Sequence, residues 1–200
     1  MAYFMFKFLN PLKYFKIMKK YIIFIVSVLS FVFLSCGSSQ KTDSRESLIL
    51  NNLITKQTFE IESRWAQPMA TNTYNQAVNG LLPPGSTTGQ INLIGNSNYF
   101  KMEKDTVSAY LPYFGERQMG GNYGSARGGI EFNDVPEDLE ITPTDKSGYN
   151  IRFSINDKEN KAENYKVYIQ IFHDLNANIV INSSQRLSIR YRGVAMPLQK

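Results

Sequence analysis

Disulfide chemistry is excluded at the outset, because the 200-residue sequence holds a single cysteine, Cys36. Zinc takes three or four ligands from Cys, His, Asp and Glu, and the one histidine, His173, stands beside Asp174 where a hairpin turn is expected. A histidine-dependent triad would rest on that same residue, with no G-x-S-x-G turn nearby. No metal and no cofactor is therefore expected. An excess of positive charge is missing too, once the chain is divided at Cys36. Five lysines and no acid precede it, so the 22 basic residues fall to 17, equal to the 17 acidic ones. A nucleic-acid binder relies on surplus cations to displace counterions from phosphates, and none remain.

The segment before Cys36 has the layout of a secretory leader. Lys19 and Lys20 precede the apolar run Tyr21 to Leu34, which ends at Ser35-Cys36 before an abrupt switch to GSSQKTDSRES. A membrane-spanning helix needs about 20 apolar residues, a signal sequence roughly 7–15. Phe33-Leu34-Ser35-Cys36 resembles a lipobox, with phenylalanine where leucine is commonest. Residues 1–35 are thus expected to be a signal peptide, with Met18 a plausible true start, and Cys36 the acylated first residue of a lipoprotein. Several acyl chains anchor far more firmly than one. Gly37 stands where aspartate would signal inner-membrane retention, which favours the outer membrane, and Ser38 to Lys41 lack the acidic cluster of surface-exported lipoproteins, which favours the periplasmic side. Residues 36–42 read as a flexible tether.

Residues 43–200 are expected to form a single β-rich domain. Asp43 and Glu46 have capping-box spacing, and Leu48, Ile49, Leu53 and Ile54 share one side of a short helix ending near Thr55. From Thr58 the apolar period becomes two: Phe59, Ile61 and Trp65 point one way, Glu60, Glu62 and Arg64 the other. Similar runs follow at Gln90–Ile94, Asn98–Glu103, Thr106–Leu111, Gly129–Asn133, Leu139–Thr142, Tyr149–Ile155, Tyr165–Phe172, Asn178–Asn182 and Arg186–Tyr191. This pattern predicts a mainly β fold, an antiparallel β-sandwich or barrel of about 8–10 strands with one short N-terminal helix. Inward Tyr and Phe predict a filled core rather than the apolar cavity of a lipid carrier.

Candidate chemistry lies in two loops, an acidic turn and an arginine stripe. Gln67 to Gly89 is rich in Pro, Asn, Thr and Ser and reads as a surface loop. Pro112 to Gly128 carries five glycines beside Tyr113, Phe114 and Tyr123. Tyr110, Tyr113, Phe114, Tyr123 and Arg127 are candidate binding residues, whose flat rings suit sugars or peptide side chains. The alternative is that Tyr113 and Phe114 plug one end of the core. Glu131, Asp134, Glu137, Asp138 and Glu140 could supply the two carboxyls of a glycan hydrolase, or be solvated turn acids. Arg186, Arg190 and Arg192 form a stripe suited to an anion, or a face balanced by Glu60 and Glu62 if the sheet closes. Asp105-Thr106-Val107 matches a short O-glycosylation pattern and equally a hairpin turn.

The ordered segments Phe59-Glu60-Ile61, Trp65-Ala66, Leu111-Pro112-Tyr113-Phe114-Gly115, Gly128-Gly129-Ile130-Glu131-Phe132 and Ser188 to Gly193 resemble the bacterial envelope lipoproteins grouped as domain of unknown function 4251. The resemblance runs from about Ile54 to Val194 and implies one β-rich envelope domain. It supplies no catalytic residue. The expected function is a non-catalytic binding or envelope-accessory module, anchored in the membrane through Cys36 and contacting a glycan, peptide or envelope protein, with the hydrolase as alternative.

Overall fold

A computed structural model of the protein describes residues 45–69, 71–78, 80–119, 128–145 and 148–198. The leader, Cys36 and its tether, Asp43, Tyr123 and Arg127 lie outside these residues.

Helix α1 (Arg45–Lys56) turns Leu50, Leu53 and Ile54 towards the core, with Glu46 in its first turn and Lys56 in its last, both favourable to the helix dipole. It stops at Gln57, whose φ of 49° is left-handed, and whose N–H donates to the Ile54 carbonyl at 3.1 Å. Strand β1 (Thr58–Pro68) follows at once.

β1 is the centre of one ten-stranded antiparallel sheet. On one side it pairs with β3 (Tyr99–Glu103) and, further along, the short β2 (Ile91–Asn92); β4 (Thr106–Leu111) and β5 (Ile130–Asp134) extend that side. On the other side lie, in order, β10 (Ile189–Met196), β9 (Asn176–Ser183), β8 (Asn164–Ile171), β7 (Tyr149–Asn156) and β6 (Glu137–Pro143). β5 and β6 therefore sit at opposite ends of the hydrogen-bonded path, yet only Val135 and Pro136 join them. Three peptide steps span at most about 11 Å, so the sheet must curl until its two edges meet. The result is a curled half-barrel, which resolves the sandwich-or-barrel alternative.

Period-two alternation fills the inside of the curl. Phe100 on β3 stacks on Phe153 of β7 with ring centroids 6.1 Å apart, and Phe132 on β5 meets Phe153 edge-on at 6.2 Å. These contacts join strands that are remote along the sheet, as a rolled sheet with a packed interior requires. A register slip of one residue would turn every such ring outward, so the core itself fixes the pairing.

Three expectations are corrected. Trp65 does not follow Phe59 and Ile61 inward: the register of β1 shifts between Ser63 and Trp65, and Ala66 takes the buried position. The bulge is held by Asn98, whose side chain accepts from Ser63 N–H and donates to Ser63 C=O, both at 2.9 Å. Opposite it, a Cβ on Gly193 would lie 2.1 Å from the Glu62 carbonyl oxygen, so only glycine fits. Second, the last strand starts at Ile189, not Arg186, because Ser183 Oγ accepts from the N–H groups of Gln185 and Arg186 and bends the chain there. Third, the loop after β1 contains helix α2 (Asn72–Val78), capped by Thr71 Oγ1, which accepts from Tyr74 N–H at 3.1 Å.

Candidate functional site

The aromatic-glycine loop, as far as it is described, is fastened to the domain rather than open. Gln118 N–H donates to Gln185 C=O at 2.7 Å and Leu187 N–H to Glu116 C=O at 3.1 Å. The Tyr113 hydroxyl lies 3.0 Å from both the Glu116 and Leu187 carbonyls, and Phe114 packs on the core. Gly115 sits at φ 145°, where a Cβ would come within 2.8 Å of the Tyr113 hydroxyl. Tyr110 is on the outer face of β4, 46% exposed and tilted against Tyr99. The structure thus separates Tyr110 from Tyr113 and Phe114.

Beneath this loop is a buried ionic network that sequence reasoning missed. Glu163 is fully buried and gathers three partners. Arg186 Nε stands 2.8 Å from Oε1, an ion-pair contact without hydrogen-bond alignment, while Nη2 donates to Oε2 at 3.2 Å. Arg117 Nη2 lies 3.3 Å from Oε2, and Ser183 Oγ donates to Oε1 at 2.6 Å. Arg186 also donates through Nη1 to the Gly129 carbonyl at 2.7 Å and covers the Tyr113 ring at 5.3 Å. Beside it, Tyr165 donates to Asp157 Oδ2 at 2.7 Å, and Asp157 Oδ1 caps its own turn by accepting from Glu159 and Asn160 N–H.

Burial governs the titration of this region. It pushes the Tyr113 hydroxyl up to about 12, against the lowering pull of Arg186. It raises Tyr165 further, helped by the hydrogen bond to Asp157, and raises Tyr191. For Arg186 burial alone would lower the pKa, but Tyr165, Glu163 and Asp157 outweigh it and hold the guanidinium charged. Everything here is mutually engaged. The network holds the loop; it does not present a reactive group.

The acidic turn is likewise dispersed. Glu131 pairs with Lys158 at 2.5 Å, Asp134 with Lys161 at 3.7 Å and Glu140 with Arg152, while Glu137 and Asp138 face solvent at a bulge of β6. His173 is exposed in the β8–β9 turn.

The arginine stripe is divided. Arg186 leaves it for the core, and Arg190 and Arg192 remain on the outer face of the sheet. β1 does lie beside β10, but its register sets Glu60 and Glu62 against Met196 and Val194, and Glu60 pairs with Lys101 at 3.5 Å. Gln67 and Trp65 are what stand opposite Arg190 and Arg192.

Those two arginines begin two parallel rows of outward side chains. One row runs Arg190, Val180, Tyr168, Arg152, Glu140. The next runs Arg192, Asn178, Gln170, Asn150, Thr142. Between them the sheet forms an open depression of about 510 Å³, lined by Arg190, Tyr168, Gln170, Asn178, Asn150 and Arg152 among others. Asn92, Asn98, Asn160, Asn164 and Asn176 elsewhere are hydrogen-bonded within the protein. The amides of Asn150, Gln170 and Asn178 have no protein partner among the described residues. Their donors and acceptors face the groove. The signal in the sequence was the outward set of β7, β8 and β9, which is rich in amides where charged residues are usual.

With that geometry in view, the comparisons with known proteins are specific about family. The model of the DUF4251 domain of unknown function matches residues 41–195. The chain belongs to the DUF4251 family. A crystal structure of a DUF4251 family protein from Bacteroides eggerthii DSM 20697 is similar with a TM-score of 0.51 and 13% identity, covering 80% of this chain and 92% of that one. That likeness is one of fold. No curated protein matches the sequence.

Proposed function

We propose that this DUF4251 protein is a non-catalytic binding module of the bacterial envelope, tethered to the outer membrane by lipid on Cys36, with the groove on the outer face of β6–β10 as its binding surface. One observation carries the reading. Three side-chain amides and Tyr168 meet in an open depression with no side-chain partners among the described residues, and concave sites with a few convergent polar groups are where ligands bind. A hydrolase using the acids between Glu131 and Glu140 has no observation in its favour.

The groove is tested by ligand-linked stability, since a ligand that binds only the folded state raises the unfolding temperature by mass action. Some envelope-extract fraction should raise the Tm of the wild-type protein. It should not raise that of a Tyr168→Ala/Asn178→Ala variant, whose own stability should change little. Equal shifts in both proteins would remove the groove from the proposal. For the anchor, Cys36→Ser should move the protein from the membrane to the soluble fraction and remove the acyl mass.

A further inference from the structure

We infer that the groove's ligand is an acidic oligosaccharide, a carboxylate-bearing glycan whose charge is held by Arg190 and Arg192 while Tyr168 and the amides of Asn150, Gln170 and Asn178 hold its rings and hydroxyls. The inference rests on the binding reading above and deepens it by naming the ligand class.

The saccharide follows from the kinds of group present and their layout. A sugar offers hydroxyls that both donate and accept, and a flat C–H face. Planar amides match the first, since each offers one acceptor and two donor hydrogens. The Tyr168 ring, 46% exposed at the groove, matches the second. Adjacent strands are about 4.8 Å apart, so the five strands β6 to β10 span roughly 19 Å, the length of a short oligosaccharide. An extended peptide would instead seek a free sheet edge or apolar side-chain pockets. The groove runs across the outer faces of β7 to β10 and reaches the end strand of the sheet at β6, with its polar side chains on the strand faces rather than along an edge, and Val180 is the one outward aliphatic side chain among its described lining residues.

The acidity follows from which cations are already matched. Lys101, Arg152, Lys158, Lys161 and Arg186 each have a carboxylate partner. Arg190 and Arg192 have none among the described residues, and both are exposed beside the amides, in register with Val180 and Asn178. Lys166, two residues before Tyr168 on the same face, adds a third cation. A guanidinium binds a carboxylate through two parallel N–H donors, and two guanidinia on alternate residues of β10, at one end of the groove, suit an acid group at the corresponding end of a glycan laid across the strands.

Isothermal titration with the protein as the cell makes it, held in detergent, separates the possibilities. The probes are oligosaccharides of galacturonate and glucuronate, the same oligosaccharides as methyl esters, and tetraglutamate. The acidic oligosaccharides should bind, and esterification should weaken them about tenfold or more, as expected for loss of charge-assisted hydrogen bonds. Arg190→Ala and Tyr168→Ala should each weaken binding several-fold, while Lys161→Ala, a distant cation, should not. If esters bind as well as acids and Tyr168→Ala still abolishes binding, acidity is overturned while the groove reading stands. If tetraglutamate binds equally and Tyr168→Ala has no effect, the face is a bare anion site and the saccharide is overturned. If no acidic oligosaccharide binds, the inference fails; the groove is then judged by the extract-fraction experiment alone.

Discussion

Arg186 and Arg190 are four residues apart, and β-alternation assigns them to the same face, yet they do opposite work. Arg186 is 6% exposed and locked between Glu163, the Gly129 carbonyl and the Tyr113 ring. Arg190 is exposed at the groove, where the one lining acid, Glu140, is paired with Arg152, and it has no carboxylate partner among the described residues. The difference teaches where to look for function in this fold. Buried opposite charges held against one another mark a clamp that holds structure, whereas polar groups gathered at an open surface without partners mark one that can take a ligand.

The sharpest way to break that comparison is to unpair the clamp. Glu163→Ala strips a buried guanidinium of its paired carboxylate, leaving only the more remote Asp157, and breaking a buried pair this way costs about 3–5 kcal/mol. Urea unfolding should show that loss, and Arg186→Ala, which strips Glu163 of its principal partner, a loss of similar size. Replacing both by apolar residues should recover much of it, because an apolar pair leaves no buried charge unsolvated. A loss below about 1 kcal/mol from Glu163→Ala would mean that the clamp is solvated like an exposed ion pair.

A smaller effect is expected from Tyr113, which joins the loop to the clamp. Its hydroxyl titrates near 10.0 when unfolded and at about 12 in the fold, so the folded state holds the proton more tightly. Stability from this group is complete below pH 10 and declines as the pH rises through 12, because the folded state binds more protons over that window. Tyr165 and Tyr191 act with the same sign. Tyr113→Phe should remove its share of the alkaline decline. At neutral pH the same change should cost about 1 kcal/mol, the usual worth of a hydrogen bond to a carbonyl. Unfolding curves from pH 7 to 12, with phenolate absorbance read in parallel, check both.

Much of the fold could be read from the chain because apolar alternation is a local signal. Thr106–Leu111 matches β4 to the residue, Tyr149–Ile155 falls one short of β7, and the helix ends one residue past the expected Thr55. What escaped depends on contacts remote in sequence. The bulge that turns Trp65 outward is held by Asn98, 35 residues away. Arg186 continues the alternation of β10 in sequence, and only the Ser183 hydroxyl and Glu163 show that the chain bends there. α2 buries only Tyr74, so it has no apolar stripe to reveal it. The groove was hidden for a related reason: each strand contributes one or two ordinary outward residues, and only the register across five strands stacks them into a site.

The smallest stability effects are expected at that groove, and their smallness is what makes them informative. Arg190→Ala and Tyr168→Ala remove exposed side chains that make no hydrogen bond or ion pair with the described residues, so each should alter stability by no more than about 0.5 kcal/mol. A protein keeping its unfolding midpoint while losing ligand response would separate the groove's function from the clamp's. Had Arg190 been a structural residue like Arg186, its removal would cost several kcal/mol. Urea midpoints of Arg186→Ala and Arg190→Ala, measured side by side, therefore read directly whether two arginines one helical-looking step apart in sequence belong to two different parts of the protein.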